Sequence, residues 1–315
     1  MALSIEQIAA VSYPAVVAEL RKPANQWAEN AALKVLEKMG FIDRISFGET
    51  IEAPLDYRAN PDTAVLAADQ DTASLLKTEV ISSASYSVAQ INVPVTWSKG
   101  DEARNPSDNQ KIALVKSLLE NGITSHDDLI EQSIFTTSAA GGVELNGLDT
   151  LVPTTGQGTV GGIDASVETF WRNTADTYLA DGSDIEAAMT ETYNDAAKGS
   201  GAQLAPKVII SGSAPHVLYE SNLQAFQRWG SGEVGDGGFK ALKFKGIDYI
   251  FSQYGDDKMY FLNPKNYKLV VSREYFRDKG STEQVPGQNA FYFLIYSALQ
   301  FITNNKSRLA VLSQA

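Results

Sequence analysis

The chain of 315 residues contains no cysteine and only two histidines, His126 and His216. Without thiols there is no disulfide framework, no thiolate zinc site, no iron–sulfur cluster and no cysteine nucleophile. Two imidazoles so far apart in sequence exclude a His-rich metal site and leave few candidates for an imidazole general base. Long apolar runs are missing too. The most apolar stretch, Phe291 to Ile302, is broken by Ser297 and Gln300 and is well short of the roughly 20 residues that span a bilayer. The first residues, Met1 to Glu6, carry neither a basic segment nor an apolar run, so no signal peptide is expected and the product reads as soluble and intracellular. Cations are also in short supply: 26 Lys and Arg against 38 Asp and Glu give a net charge of −12. A polycationic nucleic-acid binder is thereby excluded.

What is present supports a folded protein. With 43% hydrophobic and 20% charged residues the chain can bury a core, and its length suggests two domains or one elaborated one. Charge is uneven: residues 46–110 carry 10 acids and 4 bases, residues 251–315 carry 5 acids and 8 bases. The two segments could attract each other within one molecule or between copies, or both could simply face solvent.

The first 40 residues read as two helices. Ser4 and Gln7 open the first; the second carries Trp27, Ala31, Val35 and Met39 on one side and stops at Gly40. Ile45 to Tyr57 and Glu79 to Lys99 read as strands, with Ile91, Val93, Val95 and Trp97 alternating with polar residues and Pro94 pointing to a sheet edge. Between them, Arg58 to Lys77 reads as a polar loop tip. A long isolated hairpin is marginal in water, and no neighbouring segment obviously supports this one. Either a partner subunit carries it or it folds back on its own domain. Asn105-Pro106-Ser107 then opens a helix to about Thr137, with Ile112, Val115, Leu119, Ile123, His126, Ile130 and Ile134 on one stripe and a kink expected at Gly122. Further on, a capping box at Ser183–Glu186, a strand at Pro206–Ile210, a helix from Ser213 and strands at Lys243–Phe251, Lys258–Leu262, Tyr267–Ser272, Phe291–Ile302 and Arg308–Leu312 are expected.

Several patterns imitate catalytic signatures. Gly230-Ser-Gly232-Glu-Val-Gly235 matches the dinucleotide fingerprint, yet follows helix-like sequence and precedes strand-like sequence, the reverse of what that fingerprint requires. Ser74-Leu-Leu-Lys77 matches an acyl-enzyme motif without its partners. Asp181 and Asp184 read as turn and cap residues, and Glu186 and Glu191 as helix surface. His126, on the apolar stripe, reads as a buried structural histidine; His216 falls in the first turn of a helix. Arg273, Arg277 and Lys279 form a basic patch suited to phosphate or to a carboxylate on another copy.

One stretch is specific. Asn146-Gly147-Leu148-Asp149, Gly158-Thr-Val-Gly161-Gly162-Ile163-Asp164 and Phe170-Trp171-Arg172-Asn173 together resemble the signature region of tailed-bacteriophage major capsid proteins with the HK97-type fold. The resemblance continues in order through Ala53–Tyr57, Trp97-Ser98, Lys207–Ser211 and Asn304–Leu309. It implies an α+β fold with an N-terminal arm (1–44), an extended β-hairpin loop (45–104), a peripheral domain with a long spine helix (105–146 and 255–315) and an axial domain (147–254). It implies a structural subunit, without catalytic residue, metal or cofactor. Such a subunit forms pentamers and hexamers of an icosahedral shell around double-stranded DNA that it does not read by sequence. Because 44 residues leave no room for an internal scaffolding segment, a separate scaffolding protein or an already processed form is implied, with Met1 favouring the former; the other partners implied are a portal at one vertex and a decoration protein, and no membrane is involved. The location implied is the virion, assembled in the host cytoplasm. Residues implicated in assembly are Trp97, Gly161, Gly162, Trp171, Arg172, Arg273 and Arg277. The alternatives are an encapsulin-like shell around enzyme cargo, an α/β enzyme using His126 or His216, and a monomeric binding module.

Overall fold

The computed structural model describes residues 31–57, 80–104, 108–136, 144–198, 203–226 and 242–315. The first expected helix, the loop tip at Arg58–Lys77 with its Ser74–Lys77 motif, the helix start at Asn105–Ser107 and the glycine motif at Gly230–Gly235 lie outside those residues.

The first described element is helix Ala31–Lys38, in the segment expected to be an N-terminal arm. It ends at Gly40, whose φ of +78° lets the Phe41 N–H reach back to the Leu36 carbonyl at 2.9 Å, a glycine-dependent stop. Ala32, Leu33, Leu36 and Phe41 are buried, and each of the larger three contributes about 1.5–3 kcal/mol of burial. Strand Ile42–Ile45 follows and pairs in parallel with Tyr267–Ser272.

Two sheets organise the rest. In the first, Tyr267–Ser272 pairs with the far end of the 14-residue strand Ala290–Thr303. The other edge of that strand carries Ala89–Ser98 in antiparallel register, Phe291 opposite Trp97 and Ile295 opposite Val93. Ala89–Ser98 pairs with no other strand among the described residues, so Pro94 sits on an edge as its missing N–H requires. Helix Asp108–Ile134, 27 residues and about 40 Å, packs across this pair, burying Val115, Leu119 and Ile123 against Val95, Trp97, Phe293 and Ile295. The helix runs through Gly122 without interruption. Its glycine permits close approach, since a Cβ there would meet Val95 Cγ2 at 3.0 Å and Ile295 Cδ1 at 3.4 Å.

The second sheet runs Thr174–Tyr178, Ala310–Gln314, Lys258–Leu262, Val208–Ser211, Ile247–Phe251, Leu242–Phe244. Helices Ile185–Ala197 and Ser213–Phe226 cover one face. Its other face joins the first sheet in one core that includes Val208, Ile210, Tyr260 and Leu262 with Leu269, Val271 and Phe301. Lys258–Leu262 and Ala310–Gln314, placed with the peripheral segment by the sequence boundaries, are therefore hydrogen-bonded in the sheet built mainly from residues 174–251.

Three expectations need correction. Glu79 to Lys99 is two strands: Ile81–Ser87 pairs with Thr50–Asp56, and Ala89–Ser98 joins the first sheet. The hairpin base therefore finds support within its own chain, with Ile51, Ala53, Leu55, Ala84 and Tyr86 in the main core. The capping box also fails. Asp184 is the cap residue of helix Ile185–Ala197 but makes no side-chain cap bond; its carboxylate accepts the Leu179 N–H instead, at 2.8 Å. Finally, Lys243–Phe251 is a hairpin, Leu242–Phe244 and Ile247–Phe251, turned by Lys245 and Gly246 at φ of +49° and +81°.

Candidate functional site

The sequence-marked glycines and aromatics meet where the hairpin leaves the body. Thr159–Val160 and Ile163–Asp164 form a minimal hairpin whose two central residues, Gly161 and Gly162, have φ of +60° and +80°. Such a turn demands left-handed backbone at both positions. The Gly161 carbonyl accepts the Ser85 N–H at 3.0 Å, which ties this turn to strand Ile81–Ser87. Trp171, 2% exposed, donates its indole N–H to the Val160 carbonyl at 3.0 Å. Arg172 closes the following loop through the Ala165 and Ser166 carbonyls at 2.9 and 3.0 Å. Next to it Phe170 stacks on Tyr57, the last described residue before the tip, with centroids 4.8 Å apart. Tyr86 crosses the base and donates to the Thr303 carbonyl at 2.8 Å; burial holds its phenol far above the ordinary range. Gly161, Gly162, Trp171 and Arg172 thus lie together beside the hairpin base.

This junction separates two kinds of glycine. A Cβ on Gly161 would lie 2.6 Å from Ala84 Cβ and 3.1 Å from the Tyr86 ring, whereas Gly162 has open space. Gly161→Ala is expected to cost about 2–4 kcal/mol, backbone strain plus collision, and Gly162→Ala about 1 kcal/mol from strain alone. Urea unfolding of the two variants measures the difference; equal losses would show that the turn does not bear on the hairpin.

The other marked residues lie elsewhere. Trp97 is 4% exposed and sits between Phe291 and Phe293 beneath the long helix. Arg273 is exposed, and its N–H donates to the Ile45 carbonyl at 3.1 Å. Arg277 bonds Asp127 and lies 5.2 Å from the Phe276 ring, while Lys279 lies over Phe293. Much of the basic patch is therefore spent on the chain's own groups.

His126 stands in an arrangement that outwardly resembles a catalytic triad. Its Nε2 is 2.9 Å from Ser297 Oγ and its Nδ1 is 3.1 Å from Asp127 Oδ1. Burial alone would raise the Asp127 carboxyl, but His126 and the Arg277 guanidinium hold it below its ordinary value. The surroundings do not suit a nucleophile. His126 and Ser297 are fully buried, and Ser297 Oγ accepts the Arg277 N–H at 2.8 Å. The group instead ties the long helix, the long strand and the turn at Arg277 together. His216 is half-buried against the rings of Tyr249 and Phe251, and burial pushes its imidazole below its ordinary value. Among the described residues no cluster of His, Asp and Glu is placed to hold a metal, and no helix is long and apolar enough to cross a membrane.

Two ionisable side chains are buried without a sequence signal for their burial: Glu131, 1% exposed, and Lys306, fully buried. Glu131 flanks an apolar stripe, and Lys306, though within the Asn304–Leu309 stretch that carries the resemblance, lies in a polar run.

No family model matches the chain, and no curated protein matches its sequence. Solved structures do match along nearly its whole length. The chain is similar to the cyanophage A-1(L) capsid asymmetric unit, with a TM-score of 0.64 at 16% identity over 93% of this chain and 95% of that one. It is similar to the capsid of a native GTA particle, with a TM-score of 0.58 at 10% identity over 93% and 95%. It is also similar to the holo-SrpI encapsulin complex from Synechococcus elongatus PCC 7942, with a TM-score of 0.54 at 12% identity over 95% and 94%. At such identities the likeness establishes the fold.

Proposed function

We propose that this chain, which has the HK97-type fold shared with those capsids, is the major capsid protein of a tailed bacteriophage. Copies of it form the pentamers and hexamers of an icosahedral shell around packaged double-stranded DNA. The observation that carries this reading is the structural match to the capsid of cyanophage A-1(L), which covers 93% of this chain and 95% of that one. The role is structural; catalysis and cofactors have no part in it.

The geometry suits a subunit that lends parts to its neighbours. The hairpin base is bolted to its own chain by Tyr86 and Gly161, and Trp171 bonds the same glycine turn. In this reading Gly161, Gly162, Trp171 and Arg172 brace the hairpin base, and Arg273 supplies an exposed charge for contacts between copies. Trp97 and Arg277 keep the peripheral sheet stiff. Rings close through heterologous contacts between axial segments. A charge of −12 suits a wall that should not hold DNA tightly, since cationic contacts would add salt-sensitive affinity. A separate scaffolding protein, a portal at one vertex and a decoration protein complete the proposed assembly, which forms in the host cytoplasm and ends in the virion.

The encapsulin match favours one second reading, a shell around enzyme cargo. Particles treated with nuclease discriminate: protected double-stranded DNA supports the capsid, and protected protein cargo without DNA supports the encapsulin. Deleting Tyr57–Lys77 is expected to leave a folded chain, by circular dichroism, that forms no shells. Closed shells from that variant would overturn the role given to the hairpin.

A further inference from the structure

The arm helix is not held by apolar contacts alone. Glu131, deep in the long helix, accepts the backbone N–H groups of Ala32 and Leu33 at 3.4 and 3.2 Å and the Ser252 hydroxyl at 2.9 Å. One buried carboxylate therefore joins three elements: the arm helix, the long helix of the first sheet and the loop after Ile247–Phe251 in the second. The arm helix packs against both the long helix and that strand, so it is a wedge seated in the angle between the two sheets.

We propose that Glu131 is a proton-linked latch for the N-terminal arm: the arm holds the body more tightly when the carboxyl binds a proton and loosens as it ionises. The burial that makes the latch also supplies the linkage. Desolvation penalises the charged form and raises the Glu131 carboxyl from its ordinary value, against the opposing pull of the Leu33, Ser252 and Ala32 bonds. Withdrawing the arm would return water to the carboxylate and let its affinity for a proton fall. Protonation therefore favours the seated arm, and raising the pH through the seated value weakens it. The groups around it act in the same direction or lie outward. Asp128 on the same helix adds negative charge and receives the Tyr254 hydroxyl at 2.6 Å. On the arm helix Lys34, Glu37 and Lys38 are exposed, and Asp248 on the packed strand is half-buried. Such a latch gives the arm two positions whose balance follows pH, and it operates in a single subunit whether or not copies assemble.

The test is hydrogen exchange on the full chain between pH 5 and 8, with rates corrected for intrinsic exchange and protection in Ala290–Thr303 as the internal reference. Protection of the Leu33–Leu36 amides is expected to fall several-fold as pH rises in the parent chain and to stay flat in Glu131→Gln. Ser252→Ala, which removes one bond to the ionised form, is expected to move the midpoint to higher pH. A flat profile in the parent chain, the same slope in Glu131→Gln, or a midpoint in Ser252→Ala that stays put or moves down would overturn the proposal.

Discussion

Replacing Gly212 with alanine is expected to prevent the chain from folding, or to cost more than about 4 kcal/mol if any folded protein is recovered. A Cβ at this position would lie 1.5 Å from the Asp256 carbonyl oxygen and 2.4 Å from that of Gly255. The collision is mutual, because a Cβ on Gly255 would come within 2.8 Å of Gly212 N and Cα. No side chain can rotate away, as every near atom is backbone. Those backbones are themselves pinned: Gly212 donates to the Lys258 carbonyl at 3.1 Å, and Ser252 to that of Ser211 at 2.9 Å. Relief would require prising strand Val208–Ser211 from its partners on both sides. Gly246→Ala is the control, because Gly246 has φ of +81° and nothing within 4 Å of its Cβ position; about 1 kcal/mol is expected there. Soluble yield and urea midpoints of the two variants measure the contrast. A Gly212→Ala protein as stable as Gly246→Ala would refute the backbone contact.

Lys306→Met is expected to act in the opposite direction, stabilising the chain by roughly 2–4 kcal/mol at pH 7. Lys306 lies in the short turn Lys306–Arg308, which packs between Thr169–Trp171 and helix Ile185–Ala197. Its side chain is fully buried, and its Nζ has no hydrogen-bond partner among the described residues. Neighbouring Arg308 already uses the helix end, donating to the Ala197 carbonyl. Burial lowers the Lys306 amine from 10.5 to about 8, so at neutral pH the folded chain carries a charge that the interior disfavours. Between pH 8 and 10.5 the unfolded chain binds the proton more strongly than the folded one. Stability of the parent relative to Lys306→Met is therefore expected to rise across that window by roughly 3 kcal/mol and to be level below it. Taking the difference cancels the buried tyrosines, whose raised values erode stability in both proteins at higher pH. Thermal unfolding across pH checks this. A constant difference would mean that Lys306 has a partner in solution.

The sequence made the regular elements legible where one period ran unbroken. Lys258–Leu262 and Tyr267–Ser272 match to the residue because their apolar runs end at turn residues. The stripe from Ile112 to Ile134 marked the long helix because its core face repeats at three and four. The division of Glu79–Lys99 was also written there, but in phase. Ala84 and Tyr86 are buried at even positions, Ala89, Ile91 and Val95 at odd ones. A slip of one residue at Val88 turns every side chain to the other face and hands the strand to a different sheet. Other features depend on tertiary contact alone. Gly147 has an ordinary φ of −67°, and its glycine is required by a Cβ position 2.0 Å from the Thr136 carbonyl oxygen. Nothing local distinguishes it from Gly162. Glu131 and Lys306 are hidden for the same reason, since burial of a charge depends on what the chain folds against it.

The central claim is that copies of this chain close into a shell, and electron microscopy of the purified full-length protein, concentrated under crowding, tests it most directly. The account predicts uniform closed particles with subunits clustered in fives and sixes. A chain that stays a 34.1 kDa monomer, or forms only open and irregular aggregates, both alone and when co-produced with its scaffolding protein, would contradict it.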